Sequence, residues 1–284
     1  MNTIKTFLLS LTVLTFFTAQ AQLTTPQPSP AASVSQVVGL TDVEVTYSKP
    51  GMKDRVVFGE LVPFGKIWRT GANKATSVSF STDVTIGGAE VKAGTYSLFT
   101  IPNKEEWTIM LNSETELWGA GDYDAAKEVA KFMIKPSTTK DAYETFTIDF
   151  SHLKGANGHM NLRWENTLVA IPIETGAMDA VEKQIKEILV DGPGAGTYYN
   201  AARFYLENDK DIDQAIAWIN TAIEKRPNAF WYMHQKAKMQ AKKGDVKAAI
   251  ATAEKSMKMA SENEAGDYGY VASNEKLIAK LKKK

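Results

Sequence analysis

The sequence predicts a chain of two folded parts, an antiparallel β-sandwich or jelly-roll-like domain followed by an α-helical domain of tetratricopeptide-like hairpins. Two observations predict this order. Residues 34–175 alternate polar and apolar side chains with a period of two, and residues 177–284 change to a helical period that contains an internal repeat. The chain has no cysteine, so both domains must be held together by hydrophobic cores rather than by disulfides.

Short alternating segments define the β domain. Residues 42–47 alternate as a half-buried strand does. Gly87 and Gly88 separate two very short strands and favour a tight hairpin, because both central residues of such a turn need positive φ. Further strands are predicted at residues 76–81, 94–101, 107–111, 129–134, 143–150, 160–164 and 168–173.

The helical domain begins after Gly176, with Val181, Ile185 and Ile188 on one face of a first helix. Residues 211–217 then match residues 245–251 at an offset of 34, which is the tetratricopeptide period. Residues 271–282 are predicted to form the last helix.

The N-terminus has the features of a cleaved signal peptide. Lys5 precedes the apolar residues 7–17, and Ala19-Gln20-Ala21 provides the small side chains that signal peptidase requires. The apolar run is shorter than the roughly 20 residues that span a bilayer. We therefore predict cleavage between Ala21 and Gln22, an extended leader over residues 22–33, and a periplasmic or secreted protein without a membrane span.

Composition argues against several functions. Lysine and arginine (33) balance aspartate and glutamate (33), so no excess positive charge favours nucleic acid. The three histidines show no metal-ligand spacing, and no phosphate loop or Gly-x-Ser-x-Gly elbow is present. We predict no metal and no cofactor, and enzymatic activity is less expected than its absence.

The segment 63–73 contains the densest set of candidate ligand-binding residues. Arg69 offers a fork of donors for a carboxylate or phosphate, and glycines shape the loop around it. The alternative is that Trp68 fills the core while Arg69 pairs with an internal acid. The candidates in this segment are Trp68, Arg69, Thr70, Gly71 and Asn73.

Two further segments supply candidates. Trp118 and Asp122 lie among glycines, as in a sugar-stacking loop or a simple capped turn. His159 and Glu165 lie on the polar face of a predicted strand, which lines a cleft beside Arg69 or is solvated.

Several of these segments together resemble domain-of-unknown-function family 2911. The likeness covers roughly residues 30–175 and is most specific at the Trp-Arg-Thr-Gly-Ala-Asn run. It implies an exported protein, sometimes with helical repeats behind the β domain, and no established activity. The segments that carry it are residues 33–36, 45–50, 63–73 and 93–102, with Trp107 and Trp118-Gly119.

Three functions are compatible with these features. The preferred one is a non-catalytic binding protein, whose β domain holds a small polar or glycan-like ligand and whose helical repeats dock a protein partner. The second is an envelope hydrolase that uses Asp122 or Glu165 with Arg69 as anion stabiliser, and the third is a scaffold without a ligand. The predicted partner-binding residues are Tyr198, Tyr199, Trp231 and Tyr232.

Overall fold

A computed structural model describes residues 25–283, which form two compact units that divide between Thr175 and Gly176. The predicted signal peptide and its cleavage site at Ala21 and Gln22 lie outside the described residues. None of the described helices is long and apolar enough to cross a bilayer.

The N-terminal unit is all β apart from a short 3-10 turn. Its strands pair only antiparallel in the sheets described. The strands are β1 (Ala31–Val38), β2 (Thr41–Ser48), β3 (Thr76–Phe80), β4 (Val84–Ile86), β5 (Ala89–Val91), β6 (Gly94–Ile101), β7 (Trp107–Asn112), β8 (Glu128–Ile134), β9 (Ser137–Lys154) and β10 (Asn157–Thr175).

These strands form two open sheets rather than a closed barrel. Six strands run in the order β1-β2-β3-β6-β7-β8, and four in the order β5-β4-β10-β9. One continuous core lies between the sheets, because the inward residues of both belong to a single buried cluster. Tyr47 of β2, for example, meets Phe146 of β9 edge to face with ring centroids 5.7 Å apart. The predicted β-sandwich followed by helices is therefore confirmed.

Three strands differ from the sequence prediction, and one of them, β9 (Ser137–Lys154), extends beyond the predicted residues 143–150 at both ends. β1 begins at Ala31, inside the predicted leader, and pairs along its whole length with β2. The strands predicted at 160–164 and 168–173 are one strand, β10. The residues between the two predicted strands form a bulge: the register shifts on both sides of Glu165, whose φ is 48°.

Gly87 and Gly88 form the predicted tight turn between β4 and β5, with φ of 58° and 86°. Gly87 has a second role, because the Phe132 ring of β8 lies against it. A Cβ atom at Gly87 would be only 2.1 Å from Cδ2 of that ring, whereas a Cβ at Gly88 would meet nothing within 4 Å. The hairpin thus approaches an aromatic ring of the opposite sheet at a point where only glycine fits.

We expect Gly87→Ala to destabilise the β unit more than Gly88→Ala. Both changes place alanine at positive φ, which costs about 1 kcal/mol, but only Gly87→Ala must also displace Phe132, at a further cost of about 1–3 kcal/mol. Urea unfolding of the two variants measures the difference. Equal destabilisation would contradict the close packing of Phe132 on this turn.

The C-terminal unit is helical. Each helix from α2 onward packs against the next one in sequence. The helices are α1 (Ala177–Ile188), α2 (Ala195–Glu207), α3 (Ile212–Lys225), α4 (Phe230–Lys243), α5 (Val246–Ser261) and α6 (Tyr270–Leu281), and a 3-10 turn (Leu189–Asp191) follows α1.

Equivalent positions of the sequence repeat fall on equivalent structural positions. Asp211 caps α3, its carboxylate accepting from the amide of Gln214 at 3.1 Å, and Asp245 caps α5 by accepting from the amide of Ala248 at 3.1 Å. Ala222 of α3 and Ser256 of α5, which share the same offset, are both fully buried. The repeat therefore relates one helix pair, α2 and α3, to the next, α4 and α5.

A buried polar network joins the last three helices. The Nδ2 of Asn274 in α6 donates to the carbonyl of Tyr270 (2.8 Å) and to Oγ of Ser256 in α5 (3.0 Å). Ser256 Oγ donates in turn to the carbonyl of Phe230 in α4. This arrangement leaves Asn274 Oδ1 facing Nδ1 of His234 at 2.8 Å, so His234 must be the donor.

We expect protonation of His234 to destabilise the helical unit. Burial lowers the pKa of this imidazole, and nearby Lys238 lowers it further, although the hydrogen bond to Asn274 acts in the opposite direction. The unfolded chain takes up a proton near pH 6.5, before the folded one does, so stability falls as pH drops from about 6.5 towards the folded pKa.

NMR titration of the His234 ring, with urea unfolding of the helical unit at pH 7.5 and pH 5.5, measures this effect. His234→Gln should reduce the pH dependence. A pKa above 6.5 for the His234 ring would contradict this prediction.

Candidate functional site

The candidate site is built by the long connection between β2 and β3, residues 49–75, which contains no regular strand or helix. Long connections without secondary structure are uncommon in compact domains and often functional. Four of its non-glycine residues have positive φ, a conformation that surrounding contacts must maintain. They are Lys53, Asp54, Thr70 and Asn73.

The first half of this loop is held by the four-stranded sheet. The carboxylate of Glu165 in β10 accepts from the backbone amides of Val57 at 2.9 Å and Phe58 at 3.3 Å. The amide of Met52 donates to the carbonyl of Glu144 in β9 at 2.7 Å. Glu165 thus binds the loop with both of its carboxylate oxygens.

The second half of the loop is held by the six-stranded sheet. Trp68 and Thr100 of β6 exchange two backbone hydrogen bonds, of 2.7 and 2.9 Å. Thr70 is fully buried and donates from its hydroxyl to that of Thr100 at 3.1 Å, which supports its φ of 54°. The loop therefore bridges both sheets at one end of the sandwich.

Trp68 fills the core at this end. Its ring stacks on Trp164 of β10 with centroids 5.8 Å apart and meets Phe146 at 5.2 Å and Trp107 at 6.4 Å. Its indole nitrogen donates to the carbonyl of Gly71 at 2.9 Å. The interpretation of Trp68 as a core residue is thus supported, although the same ring also forms part of a cavity wall.

A cavity of about 360 Å³ opens beside this aromatic cluster, and we call it the Arg69 cavity. Three of its lining side chains are cationic, and no acidic side chain of residues 25–283 lines it. It is lined by Ser29, Pro50, Arg55, Leu61, Val62, Pro63, Lys66, Ile67, Trp68, Arg69, Gly71, Ala72 and Trp164.

One interpretation of the sequence predicted that Arg69 pairs with an internal acid. No such pair is present among the described residues. The residue is half-buried and has no carboxylate partner within the described chain. Its Nε is fully buried and lacks a hydrogen-bond partner. Gly119 lies next to the guanidinium, since a Cβ atom there would be 3.4 Å from Nη1. A buried donor without an acceptor is unusual in a folded protein.

Arg55 and Lys66, which sequence reasoning did not single out, complete the cationic lining. The Arg55 guanidinium donates from Nε to the carbonyl of Met52 (2.9 Å) and from Nη2 to that of Gly51 (2.7 Å), so the loop backbone fixes its position. Lys66 is exposed, with no ion pair to any described acid. Both residues lie in the same loop as Arg69, and this position is the one feature of the sequence that could have identified them.

Thr70 and Asn73 support the cavity from outside its lining. Asn73 is exposed, and its amide donates to Ser48 Oγ at 3.2 Å and to the carbonyl of Ser29 at 3.4 Å. Because Ser29 lines the cavity, Asn73 positions one of its walls. Gly71 is needed for space, as a Cβ there would lie 3.1 Å from the carbonyl oxygen of Ser48.

The remaining candidates do not join Arg69. Trp118 is 75% exposed, and Asp122 is exposed on the same loop. Glu165 lines a different cavity of about 270 Å³, which is also lined by Phe58. The five residues Arg69, Asn73, Asp122, His159 and Glu165 therefore do not converge on one pocket.

His159 lies on the outer face of β10, away from the Arg69 cavity lining. Its ring centroid is 4.7 Å from that of His152, and burial, followed by the proximity of His152, lowers its pKa. On the same face, Arg163 pairs with Asp149 at 2.6 Å and Asn161 donates to that carboxylate. The predicted polar face is thus largely occupied by hydrogen bonds among its own side chains.

The predicted partner-binding aromatics contribute to the helical core. Tyr232 is buried and stacks on Tyr199 with ring centroids 4.5 Å apart. Tyr198 and Trp231 are half-buried, with Lys225 5.9 Å from the first ring and Arg226 4.9 Å from the second. In residues 25–283, no group of three or more histidine, aspartate or glutamate side chains is arranged to hold a metal ion.

Fold and cavity together define a class of protein: a β-sandwich with a cationic cavity at one end, joined to a unit of paired helices. Residues 29–173 match the model of the family described as "Protein of unknown function (DUF2911)", which covers just over half of the chain. The chain belongs to this family, and every residue lining the Arg69 cavity lies inside the match. No curated protein matches the chain.

Proposed function

We propose that this is a non-catalytic binding protein whose β unit holds a small polar or glycan-like ligand in the Arg69 cavity. The observation that carries the proposal is the half-buried Arg69, which lines the cavity without a carboxylate partner among the described residues. A ligand with acceptor oxygens, bound in the cavity, would supply the partner that the described chain does not give this guanidinium. Polar groups that converge on a partly apolar cavity are typical of small-molecule sites.

The geometry favours binding over hydrolysis. A hydrolase of the alternative kind needs Asp122 or Glu165 beside Arg69, but neither carboxylate lines its cavity. Glu165 is also committed to the amides of Val57 and Phe58. The third alternative, a scaffold without a ligand, leaves the unpaired Arg69 donor without a role.

A ligand screen tests the binding proposal. Protein labelled with ¹⁵N is titrated with a panel of monosaccharides, sugar acids, sugar phosphates and small organic acids, and amide shifts are mapped. We expect shifts confined to the loop 49–75 and Gly119 for at least one ligand class. A panel that moves no resonance of this loop would contradict the proposal, and turnover that is lost in Glu165→Gln or Asp122→Asn would favour the hydrolase.

We also propose that the protein is exported, and the support is the sequence pattern of residues 1–21. Mass spectrometry of the protein isolated from its native cell should give an N-terminus at Gln22. Intact protein that begins at Met1 in the cytosolic fraction would contradict export. Recovery from the periplasm or from the medium decides between these two compartments.

The helical unit is proposed to dock a protein partner through tetratricopeptide-like repeats. Its support is the repeat offset of 34 together with the half-buried Tyr198 and Trp231, each of which lies under a cationic side chain. A photo-crosslinking residue at Trp231 should capture one defined partner in the native cell. The same residue at the exposed position Lys255 serves as the control, and equal capture at both positions would contradict a specific docking face.

A further inference from the structure

We infer that the ligand of the Arg69 cavity is a small organic anion, with one carboxylate or phosphate group on a compact body that has an apolar side. The inference rests on the proposed binding function and narrows it to one chemical class. Three features support it: the charges that line the cavity, the nature of its remaining walls, and its size.

The charges of the lining are all of one sign. Arg55, Lys66 and Arg69 contribute three cations, with no carboxylate of the described chain among the lining residues. Desolvation makes a partly buried cation unfavourable unless a counter-charge is nearby. Since no carboxylate of the described residues forms an ion pair with Arg69, an anion bound in the cavity is the partner that would offset this cost.

The donors are also arranged to bind an anion. Arg69 lines the cavity without a carboxylate partner among the described residues, and Gly119 lies close to its Nη1. Backbone carbonyls hold Nε and Nη2 of the Arg55 guanidinium, and its Nη1 has no hydrogen bond to residues 25–283. A planar guanidinium matches two oxygens of a carboxylate or phosphate, and Lys66 adds a flexible point charge at the rim.

The other walls are apolar. Leu61 and Ile67, which are 40% and 37% exposed, line the cavity together with Pro50 and Pro63. A fully hydrated inorganic ion would leave these surfaces unused. A ring or short aliphatic body attached to the anionic group would cover them, with the favourable free energy of removing apolar surface from water.

Size limits the ligand to about one ring. The cavity volume of about 360 Å³ lies at the lower end of the range found for small-molecule sites, roughly 300–1,000 Å³. A monosaccharide acid, a sugar phosphate or a small aromatic acid fits this volume. A long oligosaccharide does not fit inside it.

Matched ligand pairs test the charge requirement. Calorimetric titration of the full chain compares glucuronate and glucose 6-phosphate with glucose, and benzoate with benzyl alcohol. We expect the charged member of at least one pair to bind at least about tenfold more tightly, since hydrogen bonds to charged groups are the stronger ones. The preference should shrink as NaCl rises from 50 to 500 mM. Glucuronate and benzoate test for binding of a carboxylate, and glucose 6-phosphate tests for binding of a phosphate.

Arg69→Gln locates the site. We expect this variant to weaken binding of the charged ligand about 10- to 100-fold. Lys140→Gln, which removes the same charge from an exposed position outside every described cavity, should leave affinity within about twofold. Unchanged thermal unfolding of Arg69→Gln shows that the variant is folded, and Lys66→Gln provides a second site variant at the rim if it is not.

The possible outcomes separate the two claims. Equal affinity for charged and neutral partners, lost in Arg69→Gln, would overturn the anion inference and leave the proposed binding function standing. Charged ligands that bind equally well to Arg69→Gln and Lys140→Gln would place the anion elsewhere and overturn the inference. If no member of any pair binds and the wider ligand panel also moves no resonance of the loop, both the inference and the proposed function fail.

Discussion

Replacing Trp68 by alanine should destabilise the β unit by about 3–5 kcal/mol, the usual cost of removing a buried tryptophan. Trp68 is 9% exposed and contacts rings from three strands and from its own loop. Its loss removes the stacking on Trp164 and leaves a void at the end of the sandwich. The hydrogen bond that holds the Gly71 carbonyl is lost as well.

Trp118→Ala is the matched control for this change. Trp118 is also a tryptophan of the β unit, but it is 75% exposed, so its removal should change stability by no more than about 0.5 kcal/mol. Denaturant unfolding followed by near-ultraviolet circular dichroism measures both variants. Similar destabilisation by the two changes would contradict the role of Trp68 as a core residue.

Replacing Glu165 by alanine should have the second largest effect, about 2–4 kcal/mol, because two backbone amides lose a charged acceptor. The Val57 residue is fully buried, so its amide has little access to water as a substitute. Glu165→Gln retains one acceptor oxygen and should cost less than Glu165→Ala. The loop carrying Arg55 should also show faster amide exchange in both variants.

The control for this second change is Glu174→Ala, since Glu174 is exposed on the same strand. Glu174→Ala should leave the free energy of unfolding and the amide exchange rates of the loop nearly unchanged. If the loop amides exchange at the same rate in Glu165→Ala as in the unsubstituted protein, the carboxylate does not anchor the loop. The assignment of Glu165 as a structural residue would then be wrong.

Local patterns predicted most of the fold. The Gly87-Gly88 turn was found because its backbone conformation depends on two adjacent residues, and the alternation of β2 identified its buried face. β10 was divided in two because a bulge at Glu165 interrupts the period without ending the strand, and only pairing with β9 shows that the strand continues.

The candidate site was predicted only in part, since its contacts join distant parts of the chain. The sequence drew attention to Trp68 and Arg69, but whether Arg69 meets an acid depends on which strands and loops surround it. Glu165 appeared as a candidate for chemistry, whereas its partners are amides about a hundred residues earlier. Arg55 carries no motif, and its part in the cavity follows from the path of the loop alone.

The anion site in the Arg69 cavity is tested most directly through the Arg69 side chain itself. In a ¹H–¹⁵N spectrum of the arginine Nε–H groups, the Arg69 resonance is assigned by its loss in Arg69→Lys. We predict that the acidic ligand which binds most tightly shifts this resonance, because a bound anion changes the electrostatic environment of the guanidinium, while the neutral partner leaves it unchanged. An Arg69 Nε–H signal that stays in place when that acidic ligand saturates the protein would contradict the assignment of this cavity as an anion site.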